Sequence, residues 1–445
     1  MDVEGVFHSV ADPDREIAGR LTFNPVEGGR LRLIGHSFDI MPIGLGISEA
    51  VRFNGTTTSD SYTLDGCYPT ANSYRFDRLP DVVFYVPLIV STLLFEKDEP
   101  LDFSSIQVSL RHLEPWIMSK RISHASFSSA GSDQQDDSLG YSSVSAQHPP
   151  VDSSQLDGGE LSLCFAYDIL GDEFTSMTLS QRAIVEFVPT RPLDLHELLE
   201  VTGPIQQILT IAADNPAVYT DIRFEHPDLA SFREEDPTID DHAKLFTRMR
   251  GTGLGGDTAG VAPDKMLFSY ADIGGIDGLV RWIRLAKRYR VVLNPLLGHK
   301  YQTASFVGNR LGDATGAADS FYLIRYGAEP GAAKSLRRRL VALAQRAGST
   351  FCRIVGNPED WATHVKNART EIVHAGERDN PRYDDQAYGA FARSVYLVLV
   401  LCFLRELEVS EQVINRAIAT RFQNLGARLR AAIGDEPHED QQEAE

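Results

Sequence analysis

Two side chains in this sequence have types and spacing suited to phosphate chemistry, Arg369 and His374. An imidazole with an ordinary pKa of about 6.5 gives and takes protons near neutral pH. A guanidinium grips phosphate oxygens through a rigid fork of N–H donors. Five residues along an α-helix turn the chain by roughly 140° beyond a full turn, so the two do not share one face. A long arginine side chain could bridge that angle, or a second copy of the chain could complete the site. Lys366 and Thr370 fall between them on the side away from the core, and Asn367 falls beside His374, so the surrounding face is polar and cationic. A solvated helix face with an incidental histidine would carry the same residues. Arg191 and His196 repeat the spacing, but they enclose Pro192 in an acidic stretch and are read as coincidence.

The segment that must position the pair runs from Asn357 to Gly376. Asn357 suits an N-cap, Pro358 the first helical position, and Glu359 and Asp360 the positive end of the helix dipole. Gly376 supplies a stop. Trp361, Val365, Ala368 and Ile372 fall within about 40° of one another at the helical period and form the core stripe. From about residue 276 every long segment has helical periodicity. The expected helices are Ile276 to Leu293, ended by Asn294-Pro295, then Ala332 to Ala347, Tyr388 to Leu407, and Glu411 to Ile433. The ten-residue apolar run Val395 to Leu404 is shorter than the ~20 residues of a membrane span and reads as a buried helix.

The N-terminal part has a different period. Arg20 to Phe23 and Arg30 to Ile34 alternate polar and apolar residues around Glu27-Gly28-Gly29, as a hairpin does. Tyr62 to Leu64, Val82 to Tyr85, Ile106 to Leu110, Leu161 to Tyr167 and Ala183 to Val188 are further strand candidates. Residues 123–159 are rich in Ser, Asp, Gln and Gly and read as a flexible insertion. Residues 192–213 are helical, with Gly203-Pro204 expected to interrupt them. The expected organisation is α+β and multidomain: a β-rich domain over 1–200, a helical or linker region over 201–270, an all-α bundle over 271–433 and an acidic tail over 434–445. Gly251 to Gly256 satisfies G-x-G-x-x-G, but no buried strand leads into it, so it reads as linker.

The 445 residues carry a formal charge of -19, which by itself argues against a nucleic-acid binder. Residues 1–270 hold 19 basic and 41 acidic side chains, residues 271–433 hold 24 and 15, and the last twelve hold six acids and no Lys or Arg. The only basic block therefore contains Arg369 and His374. Arg281, Arg284, Lys287 and Arg288 recur at helical spacing, and Lys334, Arg337, Arg338, Arg339 and Arg346 form a second cluster. A solubilising surface is the alternative reading of both. The four cysteines match no metal or redox spacing and read as free buried thiols. Met1 to Glu4 has neither the basic nor the apolar stretch of a secretory signal, so a cytoplasmic location is expected.

The helical region with Asn367-Ala368-Arg369-Thr370-Glu371-Ile372-Val373-His374-Ala375-Gly376 resembles a HEPN domain, an all-helical ribonuclease fold carrying R-x4-6-H. The N-terminal region is similar to that of ApeA-like anti-phage proteins. The matching stretches are Gly19 to Phe23, Gly29 to Leu33, Phe53 to Thr56, Tyr62 to Cys67 and Val108 to Leu110, followed by Leu113 to Trp116. The resemblance implies an abortive-infection effector cutting RNA, with transfer RNA as a candidate target. Arg369 and His374 inherit the cleaving role, and neither metal nor cofactor is needed. Lys366, Asn367, Thr370, Arg337, Arg338, Arg339, Arg284, Lys287 and Arg288 are the expected RNA contacts. The resemblance also implies a homodimer through the HEPN domain, a phage-derived trigger at the N-terminal domain, and no membrane. Thr370 departs from the Asn, Asp or His frequent after the family's arginine. A non-catalytic HEPN module that binds RNA or protein is the alternative.

Overall fold

The computed structural model describes residues 1–34, 50–73, 81–118, 122–127, 141–147, 150–172, 176–229, 242–248, 260–302, 304–373 and 382–434. The chain forms two compact units. The first comprises the described parts of 1–114, 119–203 and 218–255, and the second those of 115–118, 204–217 and 256–445.

The first unit is built on a closed barrel. Strands β1 (Asp2–Ser9), β2 (Asp12–Asn24), β3 (Gly28–Ile34), β4 (Val51–Thr57), β5 (Ser61–Ser73) and β6 (Asp81–Val86) pair antiparallel in the order β5-β4-β1-β2-β3-β6, and β6 pairs back to β5. Closure leaves no free edge in this ring. Strand β3 shows the cause. Leu31 and Leu33 are fully buried, whereas Arg30 and Arg32 alternate with them outside. Phe7, Leu21, Phe53, Leu64 and Phe84 complete the interior. At the β2–β3 turn Gly28 has φ +90 and lies against the Tyr85 ring, where a Cβ would come within 2.7 Å of the hydroxyl. The hairpin expected around Glu27-Gly28-Gly29 is therefore present, and its glycine is needed twice over.

Beyond β5 the sheet continues through β7 (Leu88–Ser91), β17 (Ala243–Thr247), β16 (Tyr219–Glu225), β9 (Ser105–Leu110), β14 (Ser176–Pro189), β13 (Gly159–Asp172) and β12 (Asp152–Leu156). Two short pairs flank it, β10 (Ile122–Phe127) with β11 (Tyr141–Ala146) and β8 (Asp102–Phe103) with β15 (Leu193–Asp194). The polar stretch 123–159 is thus not simply an insertion. It supplies β11, β12 and most of β10, whose backbone ladders do not need apolar side chains. Likewise β16 and β17 occupy a stretch expected to be helical or linker. Their inward residues, Ile222 and Phe224 on β16 and Ala243 and Leu245 on β17, are spaced by two within each strand and are buried. Most of the acidic segment 227–241 and all of Gly251 to Gly256 lie outside the described residues.

Helices α1 (Leu113–Ile117) and α2 (Leu195–Ala213) follow the same sequence logic with one difference. Pro204 lies inside α2 instead of interrupting it. Pro204 has no N–H to give the carbonyl four residues back, and that residue, Glu200, lies on the exposed side.

The second unit is helical: α3 (Gly275–Arg288), α4 (Arg290–Gly298), α5 (Val307–Tyr326), α6 (Leu336–Ala347), α7 (Ser349–Val355), α8 (Pro358–Val373), α9 (Asp385–Glu406), α10 (Glu411–Arg421) and α11 (Leu425–Ile433). Its centre is α9, buried continuously from Val395 to Leu404 and packed against α5, α6 and α11. By length and composition α9 could cross a membrane, but 83% of its apolar window is buried, as in a core helix. The single helix expected over Ile276 to Leu293 breaks at Tyr289. That side chain leaves the helical course to stack on Phe321 at 4.8 Å and meet Phe403 edge-on at 5.5 Å. Pro295 then falls inside α4, with exposed Val291 four residues back. The helix expected over Glu411 to Ile433 is divided at Phe422, which is buried beneath the Arg393 guanidinium, 4.2 Å from its ring. Helix α6 begins at Leu336, four residues later than expected, because Ser335 caps it by accepting from the Arg338 amide. All four cysteines are free. Two are buried and two half-buried, and burial pushes Cys164 up to about 11 and Cys402 to about 12.

A buried ionic cluster lies within this unit. Asp214 accepts from Lys300 Nζ at 2.7 Å and pairs through both carboxylate oxygens with Arg393. Burial, reinforced by Lys300, Arg310 and Arg393, pushes His299 down to about 4. The native state therefore holds a neutral imidazole while the unfolded chain takes up a proton below about pH 6.5. Stability is full above that pH and falls on acidification until about pH 4, by on the order of 2–3 kcal/mol. Urea titrations at pH 7 and pH 4.5 should show the loss, and His299→Gln should flatten it. An unchanged slope in that variant would assign the loss to other groups.

Candidate active site

Helix α8 forms because its caps and stripe agree. Asn357 Oδ1 accepts from the Glu359 amide at 2.9 Å, Pro358 opens the helix, and Trp361, Val365 and Ala368 are fully buried. Ile372 is only half-buried. Trp361 anchors the helix to α9, since its indole donates to Ser394 Oγ at 2.9 Å and its ring meets Phe351 edge-on at 5.2 Å. The core side is thereby locked, which sets the direction of the opposite side.

On that opposite side Lys366, Arg369 and Thr370 are exposed and Asn367 is half-buried. The Arg369 guanidinium has no hydrogen bond and no ion pair among the described residues. Thr370 donates its hydroxyl proton to the Lys366 carbonyl at 2.9 Å, so its oxygen keeps acceptor capacity only. Lys366 Nζ donates to Asn367 Oδ1 at 3.3 Å. His374 and Gly376 lie outside the described residues.

One residue that sequence reasoning passed over is Glu371. Its Oε1 accepts from the Arg382 amide at 2.6 Å and from the Tyr388 hydroxyl at 3.1 Å. Glu371 therefore ties the end of α8 to the point where the described chain resumes and to the first turn of α9. Burial and then this carboxylate push the Tyr388 phenol up to about 12, so it remains a donor throughout the physiological range. Nearby, His364 Nδ1 lies 2.9 Å from the Tyr383 hydroxyl. No sequence signal marked Glu371, because its partners are 11 and 17 positions away.

The basic clusters are only partly available. On α3, Arg284, Lys287 and Arg288 all lie on the exposed face. Arg288 donates to the Ile324 carbonyl at 3.3 Å and sits 5.5 Å from the Tyr289 ring centre. On α6, Arg337 is paired with Glu359, and Arg339 donates to Asp319 at 2.6 Å and to the Ala333 carbonyl at 2.8 Å. Arg346 is paired with Glu406 at 2.8 Å. The cationic face expected over Arg337 to Arg339 thus narrows to Arg338, because its neighbours spend their charge holding helices together. Glu359 and Arg369 are ten residues apart on α8, about 15 Å along the axis, so the α6 cluster and Arg369 are separate features.

The chain thus combines a barrel-based antiparallel sheet with a helical bundle whose motif helix presents an exposed arginine. Its residues 3–282 match the family model described as ApeA N-terminal domain 1, and residues 317–413 match the one described as Apea-like HEPN. The chain belongs to the ApeA family and carries an Apea-like HEPN module. That module contains α8, whereas Arg284, Lys287 and Arg288 lie outside its match. No curated protein and no solved structure matches the chain.

Proposed function

We propose that this protein is an anti-phage effector whose HEPN module is a metal-independent endoribonuclease. The observation that carries the reading is an exposed Arg369, without a partner among the described residues, on the helix covered by the HEPN match. The 2′-hydroxyl of RNA would attack the adjacent phosphorus as His374 takes its proton. The bond to the 5′-oxygen would break, leaving a 2′,3′-cyclic phosphate and, after protonation, a 5′-hydroxyl end. Arg369 would hold the phosphate and offset the charge growing on its oxygens. Because the nucleophile belongs to the substrate, no metal-bound water is required. Lys366, Asn367 and Thr370 would contact flanking backbone, and two protomers would bring two motifs together. Transfer RNA is the substrate class the wider HEPN resemblance suggests, and the cytoplasm the expected compartment.

The acidic first unit would receive the phage-derived trigger. Its charge disfavours RNA, and the far end of the β13–β14 hairpin exposes Ile169, Leu170 and Met177, each more than 60% accessible, which supports a protein-facing role. Sequencing of RNA ends after expression of wild type and His374→Ala tests the reaction. Sites with 5′-hydroxyl ends should appear only in wild type and should persist in EDTA. Identical ends in both would remove the assignment.

Lys287 and Arg338 make no side-chain ion pair among the described residues, so their reversal tests RNA contact without disturbing packing. The double change Lys287→Glu, Arg338→Glu should weaken RNA binding at least about tenfold and lower its log–log salt slope by about 1.4. An unchanged slope would discard both residues as contacts.

A further inference from the structure

Within the helical unit a cavity of about 360 Å³ opens between the Asp214 cluster and the first turn of α5. Three cations line it, Lys300, Arg310 and Arg393, against one carboxylate, Asp214. Both Lys300 and Asp214 are deeply set, with side chains 10% and 8% accessible. Asp214 already satisfies its two neighbours, Lys300 and Arg393, while Arg310 has no ion pair among the described residues. The walls therefore carry net positive charge, with Arg310 at the solvent-facing rim, and such a field favours an anion. Two further features border the same space. Tyr396 closes one wall of the cavity, its side chain buried beside Asp214. The N-cap of α5, Phe306, offers no side-chain acceptor to the first-turn amides, and Val307 and Arg310 of that turn line the cavity. Unsatisfied N–H groups at a helix start favour an anion.

We propose that this cavity binds a phosphate ester of mononucleotide size. The phosphate would lie among Lys300, Arg310, Arg393 and the α5 amides. The apolar side chains of Leu296, Val307 and Ala314 would take the remainder of the molecule. The volume lies at the lower end of ordinary small-molecule sites, roughly 300–1,000 Å³, which suits a single nucleotide. The site adjoins the motif helix. Gly308 of the same α5 turn faces Ile372, close enough that a Cβ would stand 3.4 Å from it. An occupant would thus press on the turn that supports α8.

The test is calorimetric titration of the full chain with inorganic phosphate, AMP and ATP, using wild type, Arg310→Glu and Arg369→Ala. Arg310 is exposed, so its reversal leaves the fold intact. Wild type should bind at least one nucleotide saturably. Arg310→Glu should weaken that binding at least tenfold, and Arg369→Ala should bind as wild type does. Competition by inorganic phosphate would show that the phosphate group is the recognised part, and phosphate binding more tightly than either nucleotide would replace the nucleotide by the free anion. Absence of saturable binding of all three probes, or equal binding by Arg310→Glu, would overturn the site. Loss of nucleotide binding in Arg369→Ala with retention in Arg310→Glu would move the ligand to the RNA site. Because the readout is binding, the inference stands or falls separately from RNA cleavage.

Discussion

Arg369→Ala and His374→Ala are each expected to lower RNA cleavage by about 10²–10⁴-fold, the range for removing a positioned acid–base group or a transition-state donor. Phage protection should be lost with it. Among the described residues Arg369 makes no bond that the fold depends on, so Arg369→Ala should unfold within about 0.5 kcal/mol of wild type. That separation matters, because a destabilised variant would lose activity for the wrong reason. Full cleavage by both variants would leave the non-catalytic HEPN reading in place. A Lys at position 369 is a sharper probe. It keeps the charge and loses the forked donor pair, so partial rescue would show that the field matters more than bidentate geometry.

The second large effect is on folding. Asp214→Ala should destabilise the helical unit by about 3–5 kcal/mol, since it leaves Lys300 and Arg393 facing each other without a counter-charge. The Asp214 pKa is lowered to about 2. Burial opposes that shift, and the Arg393 hydrogen bond and Lys300 charge overcome it. The carboxylate therefore stabilises the fold at full strength above about pH 4 and loses its contribution only as pH falls through about 2. Asp214→Asn should cost nearly as much, because charge and not shape is removed. Chemical denaturation in phosphate-free buffer measures both, and a loss below about 1 kcal/mol in Asp214→Ala would mean that water already compensates the cluster.

Elements whose side chains follow one period were legible from the chain. Strand β3 alternates Leu and Arg, and α8 carries its cap, its opening proline and its Trp361–Val365–Ala368 stripe within one segment. Elements that depend on partners were not. Strands β16 and β17 are short and flanked by acidic sequence, and they become strands by pairing with β9 and β7, more than a hundred residues away. The breaks at Tyr289 and Phe422 carry no Gly or Pro signal, because they are made by aromatic rings docking into the core and beneath Arg393.

Local periodicity and charge were therefore enough to separate a β-rich acidic part from a basic helical part and to single out the helix that bears Arg369. Which cations are available was decided only by tertiary structure. Arg337, Arg338 and Arg339 are indistinguishable as a sequence triplet, yet the fold sets Glu359 beside the first and Asp319 beside the third, and leaves the middle one to solvent. The cluster of Asp214, Lys300 and Arg393 had no sequence signature at all, since its members are 86 and 179 positions apart. A charge declares its sign in the sequence, but whether it is spent on the fold or left for a ligand depends on what packing brings within about 4 Å of it.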